Sequence, residues 1–255
     1  MIIVKSSREI ALMRSAGAIV EEVLDTIEKT IKPGVTTHEL DELAEAIMLG
    51  HGATPSFKGY GGFPYAICAS VNDTLIHGFP SKKPLQEGDL VKIDVGANYK
   101  GYHGDAARTF IVGKGSPLAR KLLEVTRNSF FEAVKVIKPG AYLGDVSNAI
   151  QVYVESRGFS LPRDYTGHGI GRDLHEDPAI PNYGLAHTGP LLRPGMTLAI
   201  EPMVNAGRHE TKVLADGWTV KTVDGKLCAH YENTIVVTES GYDILTLSNQ
   251  EELNG

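Results

Sequence analysis

The chain has 255 residues, of which 42% are hydrophobic and 22% charged, and its formal net charge is −6. A chain this apolar can bury a core, which excludes intrinsic disorder, and the acidic balance argues against a protein that coats nucleic acid. Two cysteines, Cys68 and Cys228, are too few for a disulfide framework or a cysteine-based zinc site. The sequence has no signal peptide and no apolar stretch of about 18 residues, so we expect a cytoplasmic protein without membrane or DNA binding.

The N-terminal part of the chain has the pattern of two helices. Ser6 and Glu9 have the spacing of a capping box, and apolar residues recur at helical intervals from Ile10 to Ile27. The segment IKPG at 31–34 interrupts this pattern. A second helical segment follows, whose apolar positions are Leu40, Leu43 and Ile47.

A β-hairpin is predicted next, with alternating residues from Val91, a turn at 98–101 and a returning strand at 109–112. The order of elements then repeats, because IKPG returns at 137–140 between two more helical segments, the first starting at Ser116. Two pairs of strand-like segments also match: LQEGDLVKID (85–94) with LRPGMTLAIE (192–201), and HGDAARTFIV (103–112) with HYENTIVV (230–237). We therefore predict an α+β fold in which two related helix–helix–strand–strand halves, approximately 7–112 and 116–238, form a single domain over residues 1–255.

Four acidic residues adjoin the predicted strands. The repeat aligns Asp94 with Glu201 and Asp105 with Glu232. Two carboxylates about 4 Å apart repel by roughly 4 kcal/mol at an effective dielectric of about 20, so four acids that meet need a counter-charge. Two divalent metal ions would supply it, whereas an acid on a solvated strand face is the simpler alternative for any one position.

Three histidines stand in contexts that suit a site. His168 lies between two glycines, which allow a close backbone approach, and His175 follows seven residues later in YTGHGIGRDLHEDP. His77 in TLIHGFP is similar, although ordinary surface or core histidines are the alternative. Cys68 near His77 could be a thiol nucleophile, but a small core residue explains it more simply. HExxH, a dinucleotide-binding glycine loop, a phosphate loop and GxSxG are all absent.

These segments together resemble the type I methionine aminopeptidases, a group of pita-bread metallopeptidases. The shared motifs follow the family order through the chain: ASVNDTLIHGFP (69–80), KIDVG (92–96), YHGDAARTF (102–110), GHGIGRDLHEDP (167–178), AIEPMVNAG (199–207) and HYENTIVVT (230–238). The resemblance implies the pita-bread fold, with two pseudo-symmetric halves around a central antiparallel sheet. It also implies removal of the initiator methionine from nascent proteins, preferentially when the second residue is small.

The resemblance implies a metal centre of two divalent ions, Co, Mn, Fe or Zn. Asp105 and Glu232 would bridge the ions, His168 and Glu201 would complete one site, and Asp94 would chelate the other. Water activated at the metals would attack the first peptide bond. Glu201 would act as general base or proton shuttle.

The resemblance also assigns substrate contacts. His77 would contact the nitrogen of the scissile amide, and His175 would donate to the carbonyl oxygen as negative charge develops there. The methionine pocket maps onto Tyr60, Phe63, Cys68, Leu174 and Trp218, of which Leu174 departs from the aromatic residue expected at its position. Apolar and sulfur-bearing walls suit a thioether side chain.

A monovalent cation is expected near Asn72 and Thr74, again by resemblance alone. The same resemblance implies a monomer whose partners are the N-terminal methionine of peptides and nascent chains and, transiently, the ribosome. Three rivals share the scaffold. A prolidase or Xaa-Pro aminopeptidase would carry an extra N-terminal domain, whereas a catalytically dead binding module or a metal-free, creatinase-like hydrolase would have lost metal ligands.

Overall fold

The computed structural model describes residues 1–248. The first half of the chain contains two helices and five strands: α1 (Ser7–Thr30), α2 (Thr37–Gly50), β1 (Thr54–Pro55), β2 (Ile67–Val71), β3 (Thr74–Ile76), β4 (Leu90–Tyr99) and β5 (Tyr102–Ile111). The second half begins with two more helices: α3 (Pro117–Val134) and α4 (Leu143–Glu155). Its strands are β6 (Thr166–Gly169), β7 (Glu176–Pro181), β8 (Thr197–Ile200), β9 (Met203–Asn205), β10 (Thr211–Val213), β11 (Val220–Thr222), β12 (Cys228–His230), β13 (Asn233–Val237) and β14 (Tyr242–Ile244).

The predicted helix starts are confirmed. The Ser6 hydroxyl accepts a hydrogen bond from the backbone N–H of Glu9, and the Glu9 carboxylate accepts one from the Ser6 N–H, which completes the capping box of α1. The Ser116 hydroxyl caps α3 by accepting a hydrogen bond from the backbone N–H of Ala119, and Pro117 stands in the first helical turn. These local contacts fix where each helix begins.

The predicted hairpin is longer than its apolar pattern indicates. β4 and β5 pair in antiparallel register over ten residues each, from Leu90 opposite Ile111 to Tyr99 opposite Tyr102. Lys100 and Gly101, both with positive φ, form the two-residue turn. The returning strand was expected only at 109–112, and it begins earlier because the small and polar residues before Thr109 are buried between other elements rather than exposed.

Two sheets meet at the middle of the molecule. β4 pairs with β1, β2 and β5, while the second sheet has the order β14-β13-β8-β6-β7. Between β5 and β13, the Glu232 N–H donates to the Ala107 carbonyl over 2.9 Å. The Thr234 hydroxyl accepts from the Asp105 N–H at 3.0 Å and donates to the Asp105 carbonyl at 2.9 Å. Strands of both halves therefore form one antiparallel surface.

The hydrophobic core is divided between the halves and continues through their junction. One cluster packs α1 and α2 on β4 and β5, and a second packs α3 and α4 on the strands of the second sheet. A third joins Met13 of α1 to Val236 and Leu245 from the second half. α1 crosses β5 so closely that a Cβ on Gly104 would lie 2.7 Å from the Gly17 nitrogen.

No helix within residues 1–248 combines the length and the apolar character needed to cross a bilayer.

Candidate active site

The four acids that the repeat aligned lie on both sides of the sheet junction. Asp94 is paired with Ala107, and Asp105 with Gly96, so the two aspartates are diagonal neighbours on one face of the hairpin. Glu201 directly follows β8, and Glu232 directly precedes β13, which pairs with β8. The pairing of these strands brings the acids of the second half to the aspartates of the first.

Burial and mutual repulsion dominate the electrostatics of this group. Removal from water raises the pKa of Asp94 to about 7. The pKa values of Asp105 and Glu232 are raised well above the usual range, first by burial and then by neighbouring carboxylates. Burial also raises the pKa of Glu201 well above its usual value. Four ionised carboxylates can coexist here only with compensating positive charge.

His168 faces the acids with one free nitrogen. It lies on β6, and its Nδ1 donates a hydrogen bond to the Gly169 carbonyl at 2.8 Å, which leaves Nε2 without a proton in the neutral ring. Nε2 lies 3.6 Å from Glu201 Oε1 and 3.9 Å from Asp105 Oδ2. Burial lowers the pKa of His168 to about 3, so its ring is neutral near pH 7. A neutral ring held in this tautomer is prepared as a metal ligand.

The residues fit a divalent metal centre. Asp94 Oδ1, Asp105 Oδ1 and Glu232 Oε1 are buried and have no hydrogen-bond partner within residues 1–248, an arrangement that native proteins avoid unless an ion or water satisfies the atoms. Ligand atoms of Asp105, His168 and Glu232 all lie within 4.8 Å of one another. Carboxylate oxygens with one imidazole nitrogen suit several divalent ions.

His230 belongs to the same group, although the sequence pattern did not single it out. Its Nε2 lies 3.5 Å from Glu201 Oε2 and 3.7 Å from Glu232 Oε2, and neither ring nitrogen has a hydrogen-bond partner among the described residues. Ligand atoms of Asp94, His230 and Glu232 form a second close set. Its position two residues before Glu232 in a strand-like segment was the available signal, because that spacing places both on one face.

A cavity of about 290 Å³ opens beside the acids. All twelve residues expected at the site line it: Tyr60, Phe63, Cys68, His77, Asp94, Asp105, His168, Leu174, His175, Glu201, Trp218 and Glu232. Four further lining residues were not anticipated: Phe57, Ile76, Tyr165 and Thr166. One side of the cavity is therefore acidic, and the other is aromatic and aliphatic.

The apolar wall is an extension of the third core cluster. Phe63 and Trp218 pack edge to face with ring centroids 5.2 Å apart, and Leu174 is buried in the same cluster. Cys68 lies directly opposite Asp94 across β2 and β4. Burial, followed by the charge of Asp94, raises the pKa of the Cys68 thiol well above its usual value. A protonated thiol is a poor nucleophile, so Cys68 is a wall residue rather than a reactive one.

His77 and His175 lie at different depths of the cavity. His77 follows β3 with a positive φ of 57°, a conformation uncommon for a residue with a Cβ, and is half-buried near Trp218. Burial lowers the pKa of His77 to about 4. His175 is at the mouth, where its Nδ1 lies 2.7 Å from the Tyr60 hydroxyl. Burial also lowers the pKa of His175, so both rings are neutral near pH 7.

The place expected for a monovalent cation contains a lysine. The Lys92 ammonium donates to the Asn72 carbonyl at 2.6 Å and to the Cys228 carbonyl at 3.3 Å. A second unit charge about 4 Å away would be repelled by roughly 4 kcal/mol at an effective dielectric of about 20. The residues around the Asn72 carbonyl therefore do not fit a free cation.

Comparison with known proteins agrees with this geometry. Residues 11–239 match metallopeptidase family M24. Methionine aminopeptidase 1 of Bacillus subtilis (strain 168) is 55% identical over 246 residues, which cover 96% of this chain and 99% of that protein. A crystal structure of a methionine aminopeptidase from Thermotoga maritima has a TM-score of 0.96 at 52% identity, covering 97% of this chain and 100% of that one. The chain belongs to metallopeptidase family M24.

The pita-bread fold expected from the motifs is thereby confirmed, as is the dependence on divalent metal that defines a metallopeptidase family. The fold is shared more widely. The prolidase from Pyrococcus horikoshii has a TM-score of 0.79 at 26% identity, with 98% of this chain but 65% of that one covered. The fold alone therefore does not distinguish a methionine aminopeptidase from a prolidase. The residues of the site have to make that distinction.

Proposed function

We propose that the protein is a methionine aminopeptidase that removes the initiator methionine from nascent proteins, preferentially when the second residue is small. The observation that carries the proposal is that one cavity combines two kinds of wall. An acidic metal-ligand group forms one side of it, and an apolar wall of Phe63, Leu174 and Trp218 forms the other. The relatives named methionine aminopeptidase match nearly their whole length.

Within this proposal, two divalent ions share the acids. Asp105 and Glu232 would contribute ligands to both ions, His168 and Glu201 would complete the ligand set of one ion, and Asp94 would help to hold the other. The unpartnered carboxylate oxygens and the free His168 Nε2 support this assignment. When bound, divalent ions at such a centre activate water as a nucleophile and polarise the peptide carbonyl.

Glu201 is the residue that we assign to proton transfer. Its side chain is 12% exposed and borders the cavity, and its pKa is raised by burial, which suits a group that takes a proton and releases it again. Because the metal centre is buried, a free substrate amine beside Asp94 would place only the first peptide bond at the reacting position. That restriction accounts for cleavage at the chain terminus.

His175 and His77 are assigned to contact the two ends of the amide that is cleaved. We assign the Tyr60 hydroxyl as donor to His175 Nδ1, which leaves the Nε2 proton of the neutral ring for the carbonyl oxygen. His77 contacts the amide nitrogen. Tyr60, Phe63, Cys68, Leu174 and Trp218 surround the methionine side chain, whose thioether packs favourably on aromatic rings.

The remaining expectations are part of the same proposal. The metal is Mn, Fe, Co or Zn, because a ligand set of carboxylates and one imidazole accepts several divalent ions. The protein acts as a cytoplasmic monomer that contacts the ribosome transiently, where N-terminal methionine first becomes accessible.

Peptide cleavage by reconstituted protein tests the proposal. Purified protein is stripped with a chelator and resupplied with Mn, Co, Fe or Zn, and hydrolysis of Met-Ala-Ser, Met-Lys-Ser and the dipeptide Ala-Pro is followed. We expect cleavage of Met-Ala-Ser alone. Intact Met-Ala-Ser with every metal would refute the function, and cleavage of Ala-Pro would identify a prolidase instead.

Two variants test the residue assignments. Glu201→Gln and Asp105→Asn keep side-chain shape but remove a negative charge from the proposed centre. We expect methionine release to fall by at least about 10²-fold, the lower end of what a positioned acid–base group contributes. Full activity of either variant would remove that residue from the proposed machinery.

A further inference from the structure

Lys92 is a fully buried cation close to the candidate metal centre. It lies on β4, it is 1% exposed, and it is one of the largest fully buried residues among those described. Its ammonium donates to the Asn72 carbonyl at 2.6 Å, to the Cys228 carbonyl at 3.3 Å and to the Cys228 sulfur at 3.8 Å. A buried lysine is rare unless its ammonium finds hydrogen-bond acceptors, and two backbone carbonyl oxygens accept from it here.

The Asn72 carbonyl is held in place by its own contacts. Asn72 has a positive φ of 54°, and its side-chain amide donates to Asp89 at 2.8 Å. The backbone N–H of Leu90 donates to the Asn72 side-chain oxygen at 2.9 Å. These contacts hold the turn in place, so that the Asn72 carbonyl is oriented toward the Lys92 ammonium. The carbonyl is therefore preorganised to bind a cation.

One strand of the second half, β12, depends on this arrangement. Lys92 binds the backbone of Cys228, the first residue of β12. Thr109, which pairs with Lys92 across the hairpin, exchanges two hydrogen bonds with the backbone of His230, the last residue of β12, at 2.8 and 2.9 Å. The hairpin thus fixes both ends of the strand that leads to Glu232.

We infer that Lys92 is a tethered ammonium that takes the place of a bound monovalent cation and positions β12 against the Asp94 strand. The protein consequently needs neither sodium nor potassium to hold its metal centre together. Lys92 and Asp94 are two residues apart on the same face of β4, so the cation and the metal ligand are set by one strand. Lys92 is a positioning residue and contacts no substrate.

The inference predicts how the unmodified protein responds to salt. Thermal unfolding of metal-loaded protein is measured in chlorides of potassium, sodium, lithium and tetramethylammonium at equal ionic strength. We expect midpoints that agree within about 1 °C, because the carbonyl site is already filled by the chain. A saturable rise of several degrees in potassium or sodium alone would overturn the inference.

Lys92→Ala creates the space that a free cation needs. We expect its unfolding midpoint to fall by roughly 5 °C or more in tetramethylammonium chloride, and potassium or sodium to restore at least half of the loss. Lys92→Met removes the charge but fills the space, so it should be destabilised without rescue. Lys82→Ala, at an exposed lysine, is the matched control and should behave as unmodified protein. A Lys92→Ala protein that folds but shows no cation rescue would contradict the inference.

If Lys92→Ala does not fold, crystals of unmodified protein grown with thallium(I) give the answer. Anomalous density at the Asn72 carbonyl would refute the tethered ammonium, and density confined to other places would support it. These measurements do not depend on peptide cleavage. A protein that releases no methionine but is indifferent to sodium and potassium would lose its proposed function and keep this inference.

Discussion

At the scale of single residues, the candidate site brings together side chains that are unstable as neighbours without an added charge. The carboxyl groups of Asp105, Glu201 and Glu232 have pKa values raised well above normal by burial, and the pKa of Asp94 is about 7. The folded protein without metal therefore favours the protonated acids. Ionising them costs folding free energy, and metal ions recover that cost.

This linkage predicts a pH-dependent stability of the metal-free protein. A raised folded-state pKa contributes stability that is complete below the unfolded value near 4 and is lost as pH rises through the folded value. The thermal unfolding midpoint of metal-free protein should therefore decrease as the pH is raised from about 6 to about 8. The midpoint of metal-loaded protein should change little over the same range. Differential scanning calorimetry at pH 6, 7 and 8 measures both. A metal-induced increase in midpoint that is smaller at pH 8 than at pH 6 would contradict the linkage.

The contact between Tyr60 and His175 makes a separate prediction. Tyr60→Phe removes the hydroxyl that lies 2.7 Å from His175 Nδ1, so the ring loses its fixed orientation and tautomer. Because Tyr60 is 45% exposed, we expect a stability change within about 0.5 kcal/mol. The kcat for Met-Ala-Ser should fall by roughly tenfold, part of the contribution of a positioned proton donor.

Tyr183→Phe is the matched control for that variant. It also removes one tyrosine hydroxyl, which donates to the Arg163 carbonyl at 3.2 Å, and Tyr183 does not line the cavity. Its kcat should equal that of unmodified protein. Equal kcat values for both variants would mean that Tyr60 does not orient His175.

At the scale of elements, a buried ion pair holds the loop that carries His175. Lys5, ahead of α1, pairs with Glu176 at the start of β7, and their side chains are 3% and 5% exposed. Glu176 Oε1 also accepts from the backbone N–H of Arg172 at 2.9 Å. The N-terminal segment thereby anchors the loop between His168 and His175.

Lys5→Met should leave Glu176 as an uncompensated buried charge. We expect a loss of about 3 kcal/mol in the free energy of unfolding, together with a lower kcat because the His175 loop loosens. Lys135→Met removes a lysine from an exposed pair with Glu132, whose side chains are 64% and 39% exposed, and should cost less than about 1 kcal/mol. Urea denaturation of both variants measures the difference. Comparable losses would show that burial of the Lys5 pair is unimportant.

The elements also show how far the sequence could predict this protein. The helices were predictable because their capping residues and apolar periodicity are local, and Ser6 and Ser116 occupy the expected caps. Lys92 was not. Between Val91 and Ile93 it has the pattern of a polar residue on a solvated strand face, and tertiary contacts, among them those with Asn72 and Cys228, bury it.

The same distinction applies to the site. The acids and histidines in spaced motifs could be placed in one cavity, because the internal repeat aligns the acids in pairs and the family resemblance supplies the other positions. The diagonal rather than direct opposition of Asp94 and Asp105 follows from the register set by the turn at Lys100 and Gly101, which residue types alone do not fix. Phe57 and Tyr165 line the cavity because of tertiary packing, for which the sequence holds no local signal.

At the scale of the whole molecule, the two halves share their interior. Leu90 at the start of β4 belongs to the core cluster of the second half, and Met13 of α1 packs in one cluster with Leu245. The proposed metal ligands are divided in the same way, with Asp94 and Asp105 from the first half and the others from the second. Neither half can complete the centre alone.

We therefore predict that metal-loaded protein unfolds in one cooperative transition. Trp218, the single tryptophan of the chain, lines the cavity at the junction, so its fluorescence reports local loss of the site, while circular dichroism reports the helices of both halves. The two signals should give superimposable urea curves, and metal removal should shift both to lower urea together, because the ions bind only the assembled protein. If fluorescence changes at lower urea than circular dichroism in the metal-loaded protein, the halves separate before they unfold. The shared core clusters would then be too weak to couple the halves, and the metal centre would only link two independently stable units.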